Sequence, residues 1–304
     1  MDGRYKRSVA LTSKRSQNGS GMTGRSFKIG IVAPAGRIEP ALADAVMAQA
    51  DALFGARVTL HFHPQCFLCH GHFAGDDAAR ADAFVEIAND PGFDALWMAR
   101  GGYGANRIAQ SAIDRLNDAA RAKTYLGYSD AGFLLAGLYR AGFANLAHGP
   151  VAADITRDGG TAAIARALNF LVMRDGGTLE PSITPDAPNA AFNMTILSNL
   201  LGTPLEPDLS GHVLMLEEVA EYMYRIDRTL FHITSNANIR KVAGIRLGRC
   251  SAIPENDPDF VQTDEQVMRH WCAVSGIAYL GRADIGHDAQ NKIVPFGRWN
   301  PATA

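Results

Sequence analysis

An α/β fold built on a parallel sheet is predicted for this chain by three observations. Apolar runs of strand length alternate with stretches of helical spacing from Phe27 onward. Two short glycine-bearing turns each follow such an apolar run and precede a helical stretch, and a proline- and glycine-rich segment divides the chain beyond its midpoint.

The elements follow in order. Phe27 to Ala33 is an apolar run, Pro40 to Phe54 has helical spacing, and Arg57 to Phe62 alternates like a strand. Asp76 to Asn89 places Ala79, Ala83, Phe84 and Ile87 on one helical face. Phe93 to Ala99 and Thr124 to Tyr128 read as buried strands, each followed by a helix, at Arg107 to Arg121 and Asp130 to Ala141. Such a succession gives a parallel sheet covered on both faces, in a Rossmann- or flavodoxin-like arrangement, and ligands bind such sheets beyond the carboxyl ends of the strands. A helix at Gly160 to Met173 closes this half. Beyond Asp175 to Pro188, where prolines and glycines concentrate, come a strand at His212 to Leu216, a helix at Tyr222 to Thr234 and a strand at Val242 to Leu247. A helix at Asp264 to Ser275 and short strands near Ile277 and Ile293 complete the pattern. The expected organisation is a disordered basic tail over 1–26, an N-terminal α/β unit over 27–174, a linker over 175–190 and a smaller mixed α/β unit over 191–304.

Composition narrows the partners. Hydrophobic residues make up 47% and charged residues 20%, with a formal net charge of −2, so nothing favours nucleic acid or an anionic membrane surface. A small molecule or peptide is the expected partner. The basic start, with Arg4, Lys6, Arg7, Lys14, Arg15 and Arg25, lacks the apolar stretch of about 7–15 residues that a secretory leader carries. No run reaches the roughly 18 apolar residues of a membrane span, so the cytoplasm is the expected location. Cys66-Phe-Leu-Cys69-His70 matches a thiol redox pattern and a haem-attachment pattern, but no second ligand pair accompanies it, and an ordinary structural loop is expected.

The two turns carry the chemistry. Gly127-Tyr-Ser-Asp130 puts Ser129 on a strand-to-helix turn, where the hydroxyl is exposed and the following N–H groups face an oxygen under attack. The same Ser-Asp pair also suits a helix cap, and Ala131 stands where the elbow of α/β-hydrolases has glycine. Arg100-Gly-Gly-Tyr-Gly104 has neither dinucleotide-fingerprint spacing nor a phosphate-loop lysine, which leaves a turn able to bring bare backbone close to a ligand. A serine needs a base and an orienting acid. His287, in the polar turn Ile285-Gly-His-Asp288, and His148, in Ala147-His-Gly-Pro150, compete for the first role, while Glu217 and Glu218 end a strand.

These segments together resemble the LD-carboxypeptidase family of serine peptidases. The resemblance rests on Ala99-Arg-Gly-Gly-Tyr-Gly-Ala-Asn-Arg107, Leu126-Gly-Tyr-Ser-Asp130, His148-Gly-Pro150, Leu216-Glu-Glu-Val219 with Tyr224-Arg-Ile-Asp-Arg228, and Gly286-His287, and it runs from about Lys28 to Gly297. It implies Ser129 as nucleophile, Glu217 as acid, with Glu218 adjacent, and His287 as base, in a site between the two halves. It further implies backbone donors from Gly101, Gly102 and Asp130, substrate contacts from Arg100, Arg107 or Tyr103, and no metal or organic cofactor. The implied reaction removes the terminal D-alanine of a cytosolic murein tetrapeptide, and a homodimer is expected on the same ground. The chain departs from the family pattern at Ala191-Phe-Asn-Met-Thr195 and at Asp288-Ala-Gln-Asn-Lys292, which bears on substrate more than on reaction. A related hydrolase that detoxifies a peptide-nucleotide antibiotic and a non-catalytic ligand-binding protein are the two alternatives.

Overall fold

A computed structural model describes residues 25–300. Strands β1 (Phe27–Val32), β2 (Val58–Phe62), β3 (Ala95–Met98), β4 (Thr124–Gly127) and β5 (Leu146–His148) come from the first half. Strands β6 (Asn189–Asn193), β7 (Val213–Val219), β8 (Gly244–Ser251), β9 (Tyr279–Arg282) and β10 (Val294–Pro295) come from the second. Between them run helices α1 (Pro40–Phe54), α2 (Asp77–Asn89), α3 (Ala105–Ile113), α4 (Asp118–Arg121), α5 (Gly132–Arg140), α6 (Gly160–Met173), α7 (Met194–Leu200), α8 (Met223–Ser235) and α9 (Asp264–Ser275).

The strands form a six-stranded sheet in the order β10-β5-β4-β3-β1-β2 and a four-stranded sheet in the order β6-β7-β8-β9. The pairings among β1 to β5 and those of the second sheet are parallel. Helices cover both faces of the first sheet, which is why β3 and β4 are buried along their whole length and carry no polar alternation. The predicted parallel α/β architecture is therefore present, and the second sheet is parallel throughout.

Local chemistry sets the helix ends. The Asp76 carboxylate accepts from the Ala79 N–H at the start of α2, and Thr263 with Gln266 forms a reciprocal capping box on α9. The single helix expected over Arg107 to Arg121 is broken. Helix α3 stops at Ile113, and Asn117 then caps a new short helix by accepting from the Ala119 and Ala120 N–H groups. Strand β6 and helix α7 had no counterpart in the sequence reading.

The two halves are interlaced. Strand β10 returns to the first sheet and pairs antiparallel with β5, Val294 opposite His148 and Pro295 opposite Ala147. The segment read as a linker is stitched in as well: Thr178, Leu179 and Glu180 are buried. Glu180 N–H donates to the Ile293 carbonyl, and Ile293 N–H donates to that of Thr178. A buried backbone must find such partners, so this strip behaves as structure and not as a tether. A single hydrophobic cluster runs from Phe84, Tyr125 and Leu134 to Phe192, Leu214 and Phe296. The basic tail lies outside the described residues except for Arg25 and Ser26. Arg25 is held, with Nη2 2.5 Å from Asp94 Oδ1.

Candidate active site

Ser129 sits directly beyond the carboxyl end of β4, in a single 3-10 turn (Ser129–Ala131) that leads into α5. Its φ is 60°. A non-glycine residue in the left-handed region costs about 1–3 kcal/mol and is held there only by its surroundings. Gly127, the last residue of β4, leaves room for Met98 of the neighbouring strand, since a Cβ at that position would lie 2.6 Å from Met98 Cγ. Gly101 approaches from the neighbouring turn so closely that its own Cβ would fall 3.0 Å from Ser129 Cβ and 3.1 Å from Oγ. A side chain at position 101 would therefore crowd the hydroxyl.

From the second half, Glu217 on β7 and His287 in the turn after β9 reach the same point. His287 Nε2 lies 3.0 Å from Ser129 Oγ, and His287 Nδ1 lies 2.5 Å from Glu217 Oε2. The Glu217 side chain has no solvent exposure and that of His287 is 9% exposed. Burial alone would lower the imidazole pKa, but the charge and hydrogen bond of Glu217, helped by Glu218, outweigh it and raise the pKa above its ordinary value. With Nδ1–H donating to the carboxylate, Nε2 is left as an acceptor facing the serine hydroxyl.

Asp130, Gly101, Gly102 and Arg100 lie close to this chain of hydrogen bonds, whereas Tyr103 and Arg107 do not line the cleft. Asp130 is buried, and its Oδ2 accepts from the Ala105 N–H at the start of α3 at 2.8 Å. Burial raises its pKa to about 6 against the opposing pull of the Ala105 and Gly104 amides and Arg80. Among the described residues, no carbonyl takes the N–H of Gly101 or Gly102. A cleft of about 940 Å³ opens over Ser129 and His287 and is lined by Gly101, Gly102 and the arginines Arg37, Arg100 and Arg157. Arg37 pairs with Glu39 at 2.9 Å and Arg157 with Asp154 at 2.7 Å. Arg100 has no carboxylate partner among the described residues and donates to the Arg37 carbonyl at 3.3 Å.

Several sequence-level rivals are placed elsewhere. His148 is buried beneath the site, 3.4 Å from Asn291 Oδ1, and burial pushes its pKa down to about 4, so it is a neutral core residue. Glu218 turns away from Glu217: its oxygens accept from Asn193 Nδ2, Thr195 N–H and the Thr195 hydroxyl, so it anchors the β6–α7 turn. Tyr103 is 49% exposed and lines a neighbouring cavity instead of the Ser129 cleft. Arg107 pairs with Asp77 at 2.7 Å and faces the Phe73 ring, outside the cleft. Cys66 and Cys69 are free thiols, and burial raises the Cys66 pKa to about 12, opposite to what redox chemistry needs.

The structure also recruits residues that sequence reasoning missed. Arg157 donates to the His287 carbonyl at 2.6 Å, to Asp154 Oδ1 at 2.7 Å and to the Tyr128 hydroxyl at 3.2 Å. Tyr128 in turn donates to Asp154 and packs its ring 4.9 Å from that of His287. Tyr128 had a legible signal, being adjacent to Ser129. Arg157 and Asp154 had none, because they lie 130 residues or more from the histidine they support.

A buried carboxylate, a histidine and a strained serine in one hydrogen-bonded line, set where two parallel sheets meet, have the form of a serine hydrolase site. Models of the LD-carboxypeptidase N-terminal domain and C-terminal domain match residues 29–149 and 190–300, and the chain belongs to this family of peptidases. A carboxypeptidase relative from Synechocystis sp. is 31% identical over 242 residues, covering 75% of each chain. The murein tetrapeptide carboxypeptidase of Pseudomonas aeruginosa is 24% identical, covering 89% of this chain and 91% of its own. Among solved structures, a muramoyltetrapeptide carboxypeptidase from Oxalobacter formigenes shares the fold with a TM-score of 0.72 at 21% identity, covering 89% of this chain and 93% of that one. The microcin C7 self-immunity protein MccF shares it with a TM-score of 0.74 at 16% identity, covering 90% and 92%.

Proposed function

We propose that the protein is a serine carboxypeptidase that cleaves the terminal L,D-peptide bond of murein tetrapeptide and releases D-alanine. The observation that carries this reading is the continuous line from Ser129 Oγ through His287 to Glu217. Ser129 Oγ bonds to the scissile carbonyl carbon while its proton passes to His287 Nε2. The carbon–nitrogen bond then breaks as the imidazolium returns that proton to the leaving amine. Water, deprotonated by the same nitrogen, cleaves the acyl-serine and restores the hydroxyl. The N–H groups of Gly101 or Gly102 and of Asp130 face the developing oxyanion, each donor contributing about 3–4 kcal/mol of barrier lowering in comparable enzymes. Arg100 takes the terminal carboxylate.

The murein substrate is supported by family membership and by the named Pseudomonas relative. Hydrolysis of a peptide-nucleotide antibiotic has less support: the rings lining the Ser129 cleft are those of Tyr128 and His287, both turned inward, so that cleft itself offers no open aromatic for a base to stack on. A non-catalytic role leaves the buried Glu217–His287 pair without purpose. On the family reading the enzyme is a cytoplasmic homodimer, with the nucleophile on a unit over 27–174 and the acid and base on a unit over 191–304.

Incubation of the purified protein with murein tetrapeptide tests the proposal. Free D-alanine is expected from the wild type, and Ser129→Ala should lower its rate by at least about 10⁴-fold. Release that survives the substitution overturns the mechanism.

A further inference from the structure

A second cavity, of about 660 Å³, opens on the far side of the Gly101–Gly102 turn and shares Gly102 with the Ser129 cleft. Helices α3 and α7 line it with the carboxamides of Asn106, Gln110 and Asn199, and Phe133 at the start of α5 adds an apolar wall. The Asn106 and Asn199 carboxamides bond to no described residue. A carboxamide offers both a donor and an acceptor, which is the complement of a peptide backbone. Asp130, 1% exposed, also lines this cavity, and its Oδ1 is buried with no hydrogen-bond partner.

The chemistry fixes which part of the substrate this is. His287 must protonate the departing amine, so the leaving amino acid lies on the His287 side, in the cleft lined by Arg100. The acyl portion stays bonded to Ser129 and extends away from the histidine, past the glycine turn.

We propose that this cavity is the subsite for the residues preceding the scissile bond, with Asn106 and Asn199 as specificity-determining contacts. The proposal rests on the serine peptidase reading above and adds a second, non-basic pocket to it. Its consequence is a preference for long substrates: wild type should turn over murein tetrapeptide with higher kcat/KM than a dipeptide of its last two residues.

Asn106→Leu and Asn199→Leu change exposed positions, and circular dichroism with thermal melting verifies their folding. Each is expected to raise KM for the tetrapeptide by about fivefold or more with kcat within about twofold, and to shrink the preference over the dipeptide. Unchanged KM in both variants of an active enzyme overturns the subsite and leaves the proposed reaction standing. If wild type releases no D-alanine, titration of the Ser129→Ala protein with murein tripeptide decides separately. Binding that Asn199→Leu weakens supports the subsite, and no binding overturns it. A variant that alters oligomeric state by light scattering also overturns it, in favour of a second copy of the chain covering this surface.

Discussion

Ser129 and His287 come within 3.0 Å of each other by opposite constructions. The serine is placed by its own backbone: a strand end, one 3-10 turn, a φ of 60° and two glycines that clear space around it. The histidine is placed by distant side chains. Arg157 holds its carbonyl, Arg166 Nη1 holds the carbonyls of Ala289 and Asn291 at 2.9 and 3.0 Å, and Arg249 pairs with Asp284 and Asp288 at 2.5 Å each. Two of those arginines belong to the first half of the chain and one to the second. The position of the proposed nucleophile is therefore a property of a turn, while that of the proposed base is a property of the assembly, and damage to each should leave a different mark.

The largest effect is expected at the shared partner. Glu217→Gln keeps the shape of the side chain but removes the charge that orients His287, and kcat should fall by about 10³–10⁴-fold with KM little changed, measured as D-alanine release. Gly101→Ala attacks the local construction alone. Its methyl would crowd Ser129 Oγ at 3.1 Å, so kcat should drop by about 10²-fold while the melting temperature stays near that of wild type. Arg157→Met attacks the long-range construction. Freeing the His287 carbonyl should cost about tenfold in kcat, and KM should rise too because Arg157 lines the cleft. Arg166→Met supports the same loop from outside the cleft, and should therefore lower kcat by less and leave KM unchanged. A KM effect at Arg166, or none on kcat at Arg157, would break the contrast between turn and assembly.

The smallest effect is a displacement along the pH axis. In the proposed mechanism His287 serves as a base only when neutral, and its pKa is raised above the ordinary value of about 6.5. Activity should accordingly fall as pH drops through a value above 6.5, and Glu217→Gln should carry that limb of kcat/KM to lower pH. The stability contributed by this group runs the other way, being complete below the unfolded pKa and lost as pH rises through the raised folded one. A melting-temperature series across pH in wild type and Glu217→Gln separates the two trends.

Much of the first half was legible in the sequence because its signals are local. The runs Ala95–Met98 and Thr124–Gly127 are short and buried at every position, the first wholly apolar and the second carrying no charge, which is how strands buried on both faces read. The second half was harder. Asn189–Asn193 carries asparagine at both ends, and a strand is held there by pairing with β7, not by its own propensity. Met194–Leu200 depends on Asn193 as its cap and on Glu218 from another strand. The adjacent acids could not be told apart by type, since both are buried at the end of one strand. Opposite faces of the pleat send one to His287 and the other to Thr195.

By itself the sequence determined the alternating parallel architecture and placed Ser129 and the Gly101–Gly102 segment each on a turn after a strand, because periodicity and glycine act over a few residues. Only the tertiary structure decided that Glu217 and not Glu218 faces the histidine, that His148 is a neutral core residue, and that Arg157 clamps the His287 turn. It also returned β10 to the first sheet. Those outcomes depend on which side chains meet across 70 residues or more of chain, and on the burial that sets their charge, and neither is written in any local pattern.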